Sequence, residues 1–491
     1  MNEPSAKSGK YAAALLALLI VSLLTLNAWQ AVKLGGEGWV AATPEEARHL
    51  ARVFFFAEHA ATGKNDPADS QPLLWPPAFH QLAAKLWRGT GFSLVALHLA
   101  WLLLWALTAL AVYVLTRRMA GPWAALVAAT IALGSPLGVH YARVITLDMP
   151  LMLAVAWAMV VLVQAEGMRK IGPTVVFGLV AAVACLAKGY APVYLLGPAL
   201  FALFFGGPVG DFNKRGYHNP LLNAGIGGAF AALAVASWYG GRLGELLQTA
   251  SHSASLAKGV ALTTAAIAQL RWPVLLLFFI GVILLWPRRK QVRGVVEVVV
   301  WAMVPAVVFA VAPARYGQLL LPVLPAVAVL AAAGLALLPF VKLRRVLLAL
   351  IALGHLAMAV VASLSMATLL PLPAMPTTPV DPWAAAVQTP EGLVVYAAGD
   401  EAEVGAAGLL LRLHDRDAAL TFVRVNKHAL AVQAKQFLEQ SDRVILLGRG
   451  DTLPLSLLGD FALADTQVRR LGGLNVILSE YRRKAGLASS P

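Results

Sequence analysis

The sequence predicts a polytopic α-helical membrane protein with a small C-terminal α/β domain. Of its 491 residues, 59% are hydrophobic and only 13% are charged, whereas about a quarter of the residues in soluble domains are charged. The apolar residues form runs that approach the length of about 20 residues that a membrane-spanning helix needs. Towards the C-terminus the runs give way to shorter apolar stretches separated by polar ones, which is typical of alternating strands and helices.

The net charge of +14 does not indicate nucleic-acid binding. Lys and Arg form short clusters at alternate ends of the apolar runs, as the positive-inside bias of membrane proteins predicts. The only cysteine, Cys185, lies inside an apolar run, so the sequence contains neither a disulfide framework nor a thiolate metal site.

Eleven apolar runs are predicted to span the membrane. The first follows Lys7 and Lys10 and lacks an A-x-A-like exit, so we expect an uncleaved span rather than a signal peptide. The predicted spans are 11–32, 92–116, 122–139, 149–165, 172–187, 190–206, 220–239, 271–287, 294–312, 316–340 and 345–368.

The basic clusters predict the orientation of these spans. All of them fall on one side of the membrane, which the positive-inside bias identifies as cytoplasmic. The N-terminus is therefore expected in the cytoplasm and the C-terminal domain in the periplasm or outside the cell. The clusters are Lys7/Lys10, Arg117/Arg118, Arg169/Lys170, Lys214/Arg215, Arg288/Arg289/Lys290/Arg293 and Lys342/Arg344/Arg345.

Three regions follow from this pattern. Residues 1–368 form the membrane domain with a large outer loop at 33–91, residues 369–384 form a Pro-rich linker, and residues 385–491 form a soluble α/β domain. Strands are expected at 392–398, 420–425, 443–447 and 475–478, with helical runs between them such as 428–440. The chain shows no internal repeat of the kind that marks many transporters.

Two segments of the outer loop are predicted to be amphipathic helices on the membrane surface. In 44–60 the apolar face comprises Leu50, Val53, Phe54 and Ala57. In 77–88 it comprises Phe79, Leu82, Leu86 and Trp87. Both patterns have helical spacing with polar residues on the other side, so membrane-surface packing explains most of these residues.

Ionisable residues at membrane depth are costly and therefore indicate a candidate site. The acids Glu45, Glu46 and Asp148 and the bases Arg143, Lys188 and Arg315 are all predicted on the outer side. Asp148 also fits a helix N-cap, and Lys188 also fits a charged helix end among lipid headgroups. A carboxylate can accept a proton from an attacking hydroxyl, and a cation can stabilise a departing phosphate. This combination suits glycosyl transfer from a lipid-linked sugar better than hydrolysis of a soluble substrate.

The motifs of residues 11–340 resemble those of the polyprenyl-phosphate-sugar glycosyltransferases with the GT-C fold, the superfamily of protein O-mannosyltransferases and lipid A aminoarabinose transferases. Relatives usually place Asp first in the leading acidic pair, where this chain has Glu45. The matching elements, in chain order, are Glu45-Glu46-Ala47-Arg48, Trp75-Pro76-Pro77, Ala142-Arg143 with Thr146 to Leu151, Ala187-Lys188-Gly189, Ser237-Trp238-Tyr239, and Arg315-Tyr316 with Pro322 and Pro325.

The resemblance implies a multi-pass enzyme of the bacterial inner membrane that transfers a sugar, with inversion, from a polyprenyl phosphate such as undecaprenyl phosphate. The acceptor would be lipid A, another glycan or a protein. Glu45 or Glu46 would be the general base, with Asp148 orienting the acceptor or supporting that base. The phosphate would be held by Lys188, Arg315, Tyr316 and Arg143, and the acceptor-side loop would contribute Arg48, His49 and His140. The sequence shows no cluster of oxygen ligands that would require a metal ion. The carboxylates of the predicted site would nevertheless suit a divalent metal.

Two alternatives come from other functional classes. A lipid or sugar transporter is expected to place charges near the bilayer midplane and to have two similar halves. An inactive relative that scaffolds an envelope assembly would bind a lipid-linked sugar without turning it over.

Overall fold

The protein is described by a computed structural model that covers most of the predicted membrane domain and five strands near the C-terminus. The predicted linker 369–384 and the predicted helix 428–440 lie outside the described residues. These are 6–36, 46, 49, 50, 52, 53, 56, 57, 76–91, 93–206, 219–241, 272–311, 317–364, 391–397, 419–425, 443–448, 461–471 and 474–484.

Helices dominate the described membrane domain, and every predicted span overlaps at least one of them. They are α1 (Ala6–Gly36), α2 (Ala78–Gly89), α3 (Leu94–Ala120), α4 (Pro122–Gly134), α5 (Pro136–Arg143), α6 (Asp148–Gln164), α7 (Ile171–Ala187), α8 (Ala191–Phe205), α9 (Pro220–Tyr239), α10 (Trp272–Leu285), α11 (Val295–Val311), α12 (Leu324–Leu335) and α13 (Val341–Leu364). Short 3₁₀ helices cover Trp286–Arg288 and Gly317–Val323.

The described helices differ in how far they reach across a membrane. By length and apolar composition α1, α3, α9 and α13 are each long enough to cross, and α4 with α5 passes the same test as a bent pair. The other six apolar helices, α6, α7, α8, α10, α11 and α12, are shorter, at 10–17 residues each.

A break interrupts the predicted span 122–139, which the sequence pattern did not indicate. The axes of α4 and α5 differ by 58°. Ser135 between them is extended, with φ −65° and ψ 126°, because a residue that precedes a proline is disfavoured in the helical region. Pro136 then begins α5, which turns the chain so that Arg143 ends near the same membrane face as the start of α6.

The core of the bundle is formed by α4, α6 and α12. Every residue of α12, from Leu324 to Leu335, is buried, and this helix packs against α3, α4, α10 and α11. In contrast, α9 exposes most of its side chains, including Leu221, Leu222 and Leu233. The bundle therefore has an inner layer that meets only protein and an outer layer with apolar side chains directed at lipid.

Glycines permit the closest helix crossings. A Cβ added at Gly178 of α7 would lie 2.1 Å from the carbonyl oxygen of Gly227 in α9, and one added at Gly334 of α12 would lie 2.2 Å from Cα of Gly281 in α10. Small residues at such crossings let the backbones approach, and van der Waals packing is a main source of helix association in lipid.

One end of the bundle collects basic side chains. Glu166 Oε1 accepts hydrogen bonds from Lys170 Nζ at 2.8 Å and from Arg293 Nη1 at 2.7 Å. The side-chain amide of Gln164 is oriented so that its oxygen faces Arg118. This oxygen accepts hydrogen bonds from both terminal nitrogens of the Arg118 guanidinium at 3.2 Å. We call this end, with Arg118, Glu166, Lys170 and Arg293, the basic face. Three of the predicted basic clusters thus lie together.

The C-terminal strands form one mixed sheet with the order β2-β1-β3-β5-β4. Strand β1 pairs in parallel with β2 and β3, whereas β5 is antiparallel to both β3 and β4. The four predicted strands match β1, β2, β3 and β5. The sequence prediction missed β4, because Asp465, Arg469 and Arg470 interrupt any apolar alternation there. The strands are β1 (Glu391–Ala397), β2 (Ala419–Val425), β3 (Arg443–Gly448), β4 (Phe461–Leu471) and β5 (Leu474–Arg483).

Candidate active site

The described ionisable residues of the predicted site lie at the end of the bundle opposite the basic face. Helices α3 and α6 begin at this end and run to Arg118 and Gln164, while α7 runs back and ends beside Lys188. We call this end the site face. Six predicted site residues are described: Glu46, His49, His140, Arg143, Asp148 and Lys188. Four others, Glu45, Arg48, Arg315 and Tyr316, lie outside the described residues.

The described residues between 46 and 57 are helical, and we call them the loop helix. Leu50, Val53 and Ala57 of the predicted apolar face are buried in the protein, while Phe54 lies outside the described residues. Glu46 and His49 are also buried, and they precede Leu50 and Val53 at helical spacing. The inward side of the loop helix is therefore partly polar, and the apolar pattern alone did not show this.

Glu46 links the loop helix to the chain that leads into α6. Its Oε1 accepts the backbone N–H of Ile145 at 2.8 Å and lies 3.3 Å from Nε2 of His98. Ile145 precedes Asp148 by three residues, which span at most about 11 Å even when fully extended. Glu46 and Asp148 therefore share one neighbourhood, as expected of residues that serve one site.

The same stretch is also held from α3. The indole Nε1 of Trp101 donates to the carbonyl oxygen of Thr146 at 2.8 Å, and this bond is buried. Thus residues 144–147 receive one hydrogen bond from α3 and give one to the loop helix. The position of the first turn of α6 depends on both.

Asp148 and Lys188 form a buried ion pair. Nζ of Lys188 donates to both carboxylate oxygens, at 2.7 and 2.8 Å, and each side chain is only 3% exposed. Asp148 is the first residue of α6, where the positive end of the helix dipole favours a negative charge. The alternative that Lys188 is a helix end among lipid headgroups is wrong, because its side chain is enclosed by protein.

An aromatic cluster of Tyr190, Tyr194 and Phe309 lies beside this ion pair. Nζ of Lys188 lies 5.8 Å from the ring centroid of Tyr190. Phe309 of α11 packs against Tyr194 of α8 with ring centroids 5.9 Å apart, and against Tyr190 at 6.5 Å. Charges in so apolar a setting interact more strongly than they would in water, which strengthens the attraction between Asp148 and Lys188.

Arg143 connects three helices. Its Nε donates to Asn27 Oδ1 at 2.8 Å, and its Nη2 donates to the carbonyl oxygen of Ser363. Asn27 Nδ2 in turn donates to Ser363 Oγ at 3.0 Å. These bonds join α5 to α1 and α13, so the Arg143 guanidinium helps to fix the positions of these three helices at the site face.

The remaining predicted residues, His49 and His140, also have buried neighbours. Nδ1 of His49 lies 2.9 Å from Nε2 of His80 in α2, and their rings are stacked with centroids 5.1 Å apart. His140 packs edge-on against Tyr141 and lies within the electrostatic influence of Glu46 and Arg143. Burial, followed by the charges of His49 and Arg52, lowers the pKa of His80 well below its usual value.

The predicted apolar face of α2 divides into two sides. Leu82 and Leu86 are exposed, which fits a helix on the membrane surface, whereas Trp87 is buried together with His80, Ala83 and Ala84. At a membrane surface, leucines meet lipid without cost, so apolar spacing does not identify the protein-facing side. The His80–His49 contact orients the helix instead.

The sequence analysis missed two polar residues of the site face. His98 lies in the second predicted span and Asn27 in the first. Both were detectable, because a polar side chain within a span is itself an indication of a site. In the described part of the chain, no three His, Cys, Asp or Glu side chains are grouped so as to hold a metal ion.

The sequence matches the model of a protein family over part of its length. Residues 71–238 match the sequence model of a family described as dolichyl-phosphate-mannose-protein mannosyltransferase. The matched stretch contains His98, Arg143, Asp148 and Lys188, while Glu46 precedes it. Comparison with curated proteins gives no match.

Comparison with solved structures identifies the fold. The chain is similar to ArnT from Cupriavidus metallidurans bound to undecaprenyl phosphate, with a TM-score of 0.64 and 15% identity over 97% of this chain and 99% of that one. For ArnT in the apo state the TM-score is 0.63, with 16% identity over 96% and 98% of the two chains. The predicted polytopic, GT-C-like fold is confirmed, and the chain is a multi-pass membrane protein.

Proposed function

We propose that this chain is an inverting membrane glycosyltransferase that moves a sugar from a polyprenyl phosphate to an acceptor at the outer face of the inner membrane. The observation that carries the proposal is the buried Asp148–Lys188 pair close to Glu46 on a single membrane face. The match to a family that uses dolichyl-phosphate-mannose and the likeness to ArnT bound to undecaprenyl phosphate support a lipid-phosphate donor.

The proposed reaction is a single displacement at the anomeric carbon. An oxygen of the acceptor hydroxyl bonds to that carbon while the bond from the carbon to the phosphate oxygen breaks. The hydroxyl proton passes to a carboxylate, and the polyprenyl phosphate leaves with the electron pair of the broken bond. Attack from the face opposite the leaving group inverts the configuration of the sugar.

We propose that one residue of the acidic pair is the general base. The arguments for Glu45 and for Glu46 differ. Glu46 already accepts from Ile145 and faces His98, so its carboxylate contributes to the shape of the site face. Glu45 occupies the position where relatives have Asp. Glu46 places its carboxylate beside the chain that leads into α6, which is where we propose that the acceptor hydroxyl binds.

The proposed phosphate site centres on Lys188. Asp148 fixes the position of its ammonium group, and a positioned cation stabilises the charge that develops on a departing phosphate. Arg315 and Tyr316, which precede the 3₁₀ helix Gly317–Val323, are proposed to complete the site. Because Arg143 is bonded to Asn27 and Ser363, we propose that it supports this site mainly by joining α1, α5 and α13.

The proposed acceptor belongs to the cell envelope and is lipid A, another glycan or a protein. Arg48, His49 and His140 are proposed to line its approach along the loop helix. The proposed C-terminal domain 385–491 would lie on the same side of the membrane and offer a further surface to the acceptor.

Transfer assays on purified protein test the proposal. Undecaprenyl phosphates that carry different labelled sugars are incubated with envelope extract, and labelled product is quantified for the wild type and for Glu45→Gln, Glu46→Gln, Asp148→Asn and Lys188→Met. Loss of the working base is expected to slow transfer by about 10²–10⁴-fold. Glu166→Gln, which removes a carboxylate from the basic face, is the matched control. Full transfer by all four variants would refute the proposed site.

A further inference from the structure

We infer that Tyr239 is a positioning residue of the site face, whose hydroxyl group ends α7 at Ala187 and keeps Lys188 directed at Asp148. Tyr239 closes the motif Ser237-Trp238-Tyr239 at the end of α9, and the proposed reaction gives this motif no part. The effect of Tyr239 on sugar transfer rests on the proposed function, whereas its effect on the Asp148–Lys188 pair rests on the contacts alone.

Helix α9 runs parallel to α7 and is bonded to it or to the link before it near both ends. At the basic face, Nδ2 of Asn223 donates to the carbonyl oxygen of Met168, just before α7, at 2.8 Å. At the site face, the hydroxyl of Tyr239 donates to the carbonyl oxygen of Cys185 at 3.0 Å. The bonded residues are 55 positions apart in the first pair and 54 in the second, so the two helices stay in register over most of their length.

Between these two bonds the helices approach backbone to backbone. A Cβ added at Gly227 would lie 2.7 Å from the carbonyl oxygen of Thr174, and one added at Gly178 would lie 2.1 Å from that of Gly227. The buried residues of α9 are Asn223 and Gly227, and both belong to this contact. Among the described helices, α7 is therefore the main support of α9, and a change at Tyr239 acts on α7 first.

The Tyr239 hydroxyl satisfies a carbonyl group at the end of a helix. The last four carbonyl oxygens of an α-helix have no N–H partner within the helix, and Cys185 lies in the last turn of α7, which ends at Ala187. In a longer helix the partner of Cys185 would be the N–H of Gly189, four residues later. Because Tyr239 supplies a donor from α9, this carbonyl is paired without a further helical residue.

The end of α7 determines where the Lys188 side chain points. Lys188 has an extended backbone, with φ −152° and ψ 139°, while its N–H still donates to the carbonyl oxygen of Ala184 at 3.0 Å. From this position its Nζ donates to both carboxylate oxygens of Asp148. A bond from the N–H of Gly189 to Cys185 would require a helical φ near −63° at Lys188, which would turn its Cβ by about 90° about the N–Cα bond.

Tyr239 thus acts on the proposed phosphate site through Lys188. Without the hydroxyl, the last turn of α7 has two alternatives. It can keep its end and leave the Cys185 carbonyl without this bond, which is costly in an apolar membrane environment, or it can gain one helical residue, which misdirects Lys188. Tyr239→Phe removes only the hydroxyl group and is the direct test.

Binding of undecaprenyl phosphate to the purified protein measures the effect on the phosphate site. Tyr239→Phe is expected to raise the Kd of this lipid and to lower kcat/KM for the donor, each by about 3- to 10-fold, which corresponds to one lost hydrogen bond. The KM for the acceptor is expected to stay unchanged. Asn223→Leu is the matched control, because it removes the hydrogen bond at the opposite end of α9, and it is expected to alter none of these quantities.

Thermal stability in detergent measures the link to Lys188 without donor or acceptor. Tyr239→Phe is introduced into the wild type and into the Asp148→Leu/Lys188→Met double variant, in which no ion pair depends on the end of α7. Such a comparison isolates the interaction between two sites. The fall in Tm caused by Tyr239→Phe is expected to be smaller in the double variant, whereas the fall caused by Asn223→Leu is expected to be equal in both backgrounds.

The outcomes separate this inference from the proposed function. If the wild type neither binds undecaprenyl phosphate nor transfers a sugar, but the stabilities are coupled as expected, the proposed function fails and Tyr239 remains the positioning residue of Lys188. Equal falls in Tm in the two backgrounds would overturn the inference. It would also be overturned if Tyr239→Phe left the Kd of a binding-competent protein unchanged, or if Asn223→Leu raised that Kd equally.

Discussion

At the scale of single residues, the buried Asp148–Lys188 pair combines a structural and a proposed catalytic role. Both side chains are enclosed, and Asp148 accepts from Lys188 through both of its carboxylate oxygens. Removing one partner of such a pair leaves a charge buried without compensation. Replacing both with apolar side chains of similar size is often neutral for stability.

This difference predicts how variants of the pair behave. Asp148→Leu and Lys188→Met are each expected to lower the free energy of unfolding by about 3–5 kcal/mol, measured as thermal stability in detergent. The double variant is expected to recover most of that stability and to remain inactive in transfer. Recovery of transfer together with stability would show that the pair is only structural.

The residues that the sequence did and did not predict differ in a physical way. Asp148 and Lys188 were found because they stand at the ends of apolar runs, where a charge is conspicuous. Glu46 was found as part of a motif, but its contact with His98 joins the outer loop to a helix that begins 48 positions after it. Contacts between segments so far apart in sequence depend on tertiary packing, which periodicity does not encode.

At the scale of elements, the loop helix is held by polar contacts on two sides. Glu46 reaches His98 and Ile145, while His49 reaches His80 of α2. The lowered pKa of His80 means that the docked state binds this proton less readily than the undocked one. Docking is therefore strongest above the ordinary histidine pKa of about 6.5 and weakens as the pH falls below it.

This sign predicts an acid-induced release of the loop helix. A cysteine at position 57, in the Cys185→Ser background, is expected to be labelled faster relative to a Lys85→Cys control as the pH is lowered from 7 towards 5. His80→Leu removes the titrating group and is expected to abolish this acid response. An acid response that persists in His80→Leu would assign it to another group.

The existence of helices was predicted well, because it depends on the length and apolar composition of each run. A bend within a run and the side of a helix that faces the protein were predicted less well. All eleven predicted spans overlap described helices, because apolar runs satisfy their backbone in lipid only as helices, and four of these helices, or five with the bent pair, are long enough to cross. The bend at Ser135 arises from Pro136. This proline is visible in the sequence, but the average hydropathy of a whole apolar run does not reveal a bend at one residue. For α2, the leucines of the predicted apolar face are exposed and His80 is buried, so apolar spacing alone did not show which side faces the protein.

At the scale of the whole molecule, the charged groups divide between two faces. The basic face brings together residues from α3, from the link after α6 and from the link before α11. The start of α1 joins it, since a Cβ at Gly9 would lie 3.6 Å from Nη2 of Arg117. For these four of the six predicted clusters, the predicted common side therefore agrees with the described helices.

The positive-inside bias then predicts the absolute orientation. In the Cys185→Ser background, a cysteine in place of Gln291 near the basic face is expected to be labelled only from the cytoplasm. One in place of exposed Gln81 on α2 is expected to be labelled from outside by a reagent that does not cross the membrane. Whole cells and permeabilised cells provide the measurement, and the opposite pattern would invert the topology.

The enclosure of α12 has a consequence for how the protein is made. A ribosome delivers α3 and α4 to the membrane long before α12 exists, yet both pack against it in the finished bundle. Until residues 324–335 emerge, those earlier helices must present their future interior sides to lipid or to the insertion machinery. Final closure of the site face must therefore wait for the last third of translation, and a nascent chain that stalls before α12 is expected to be a substrate for quality-control proteolysis.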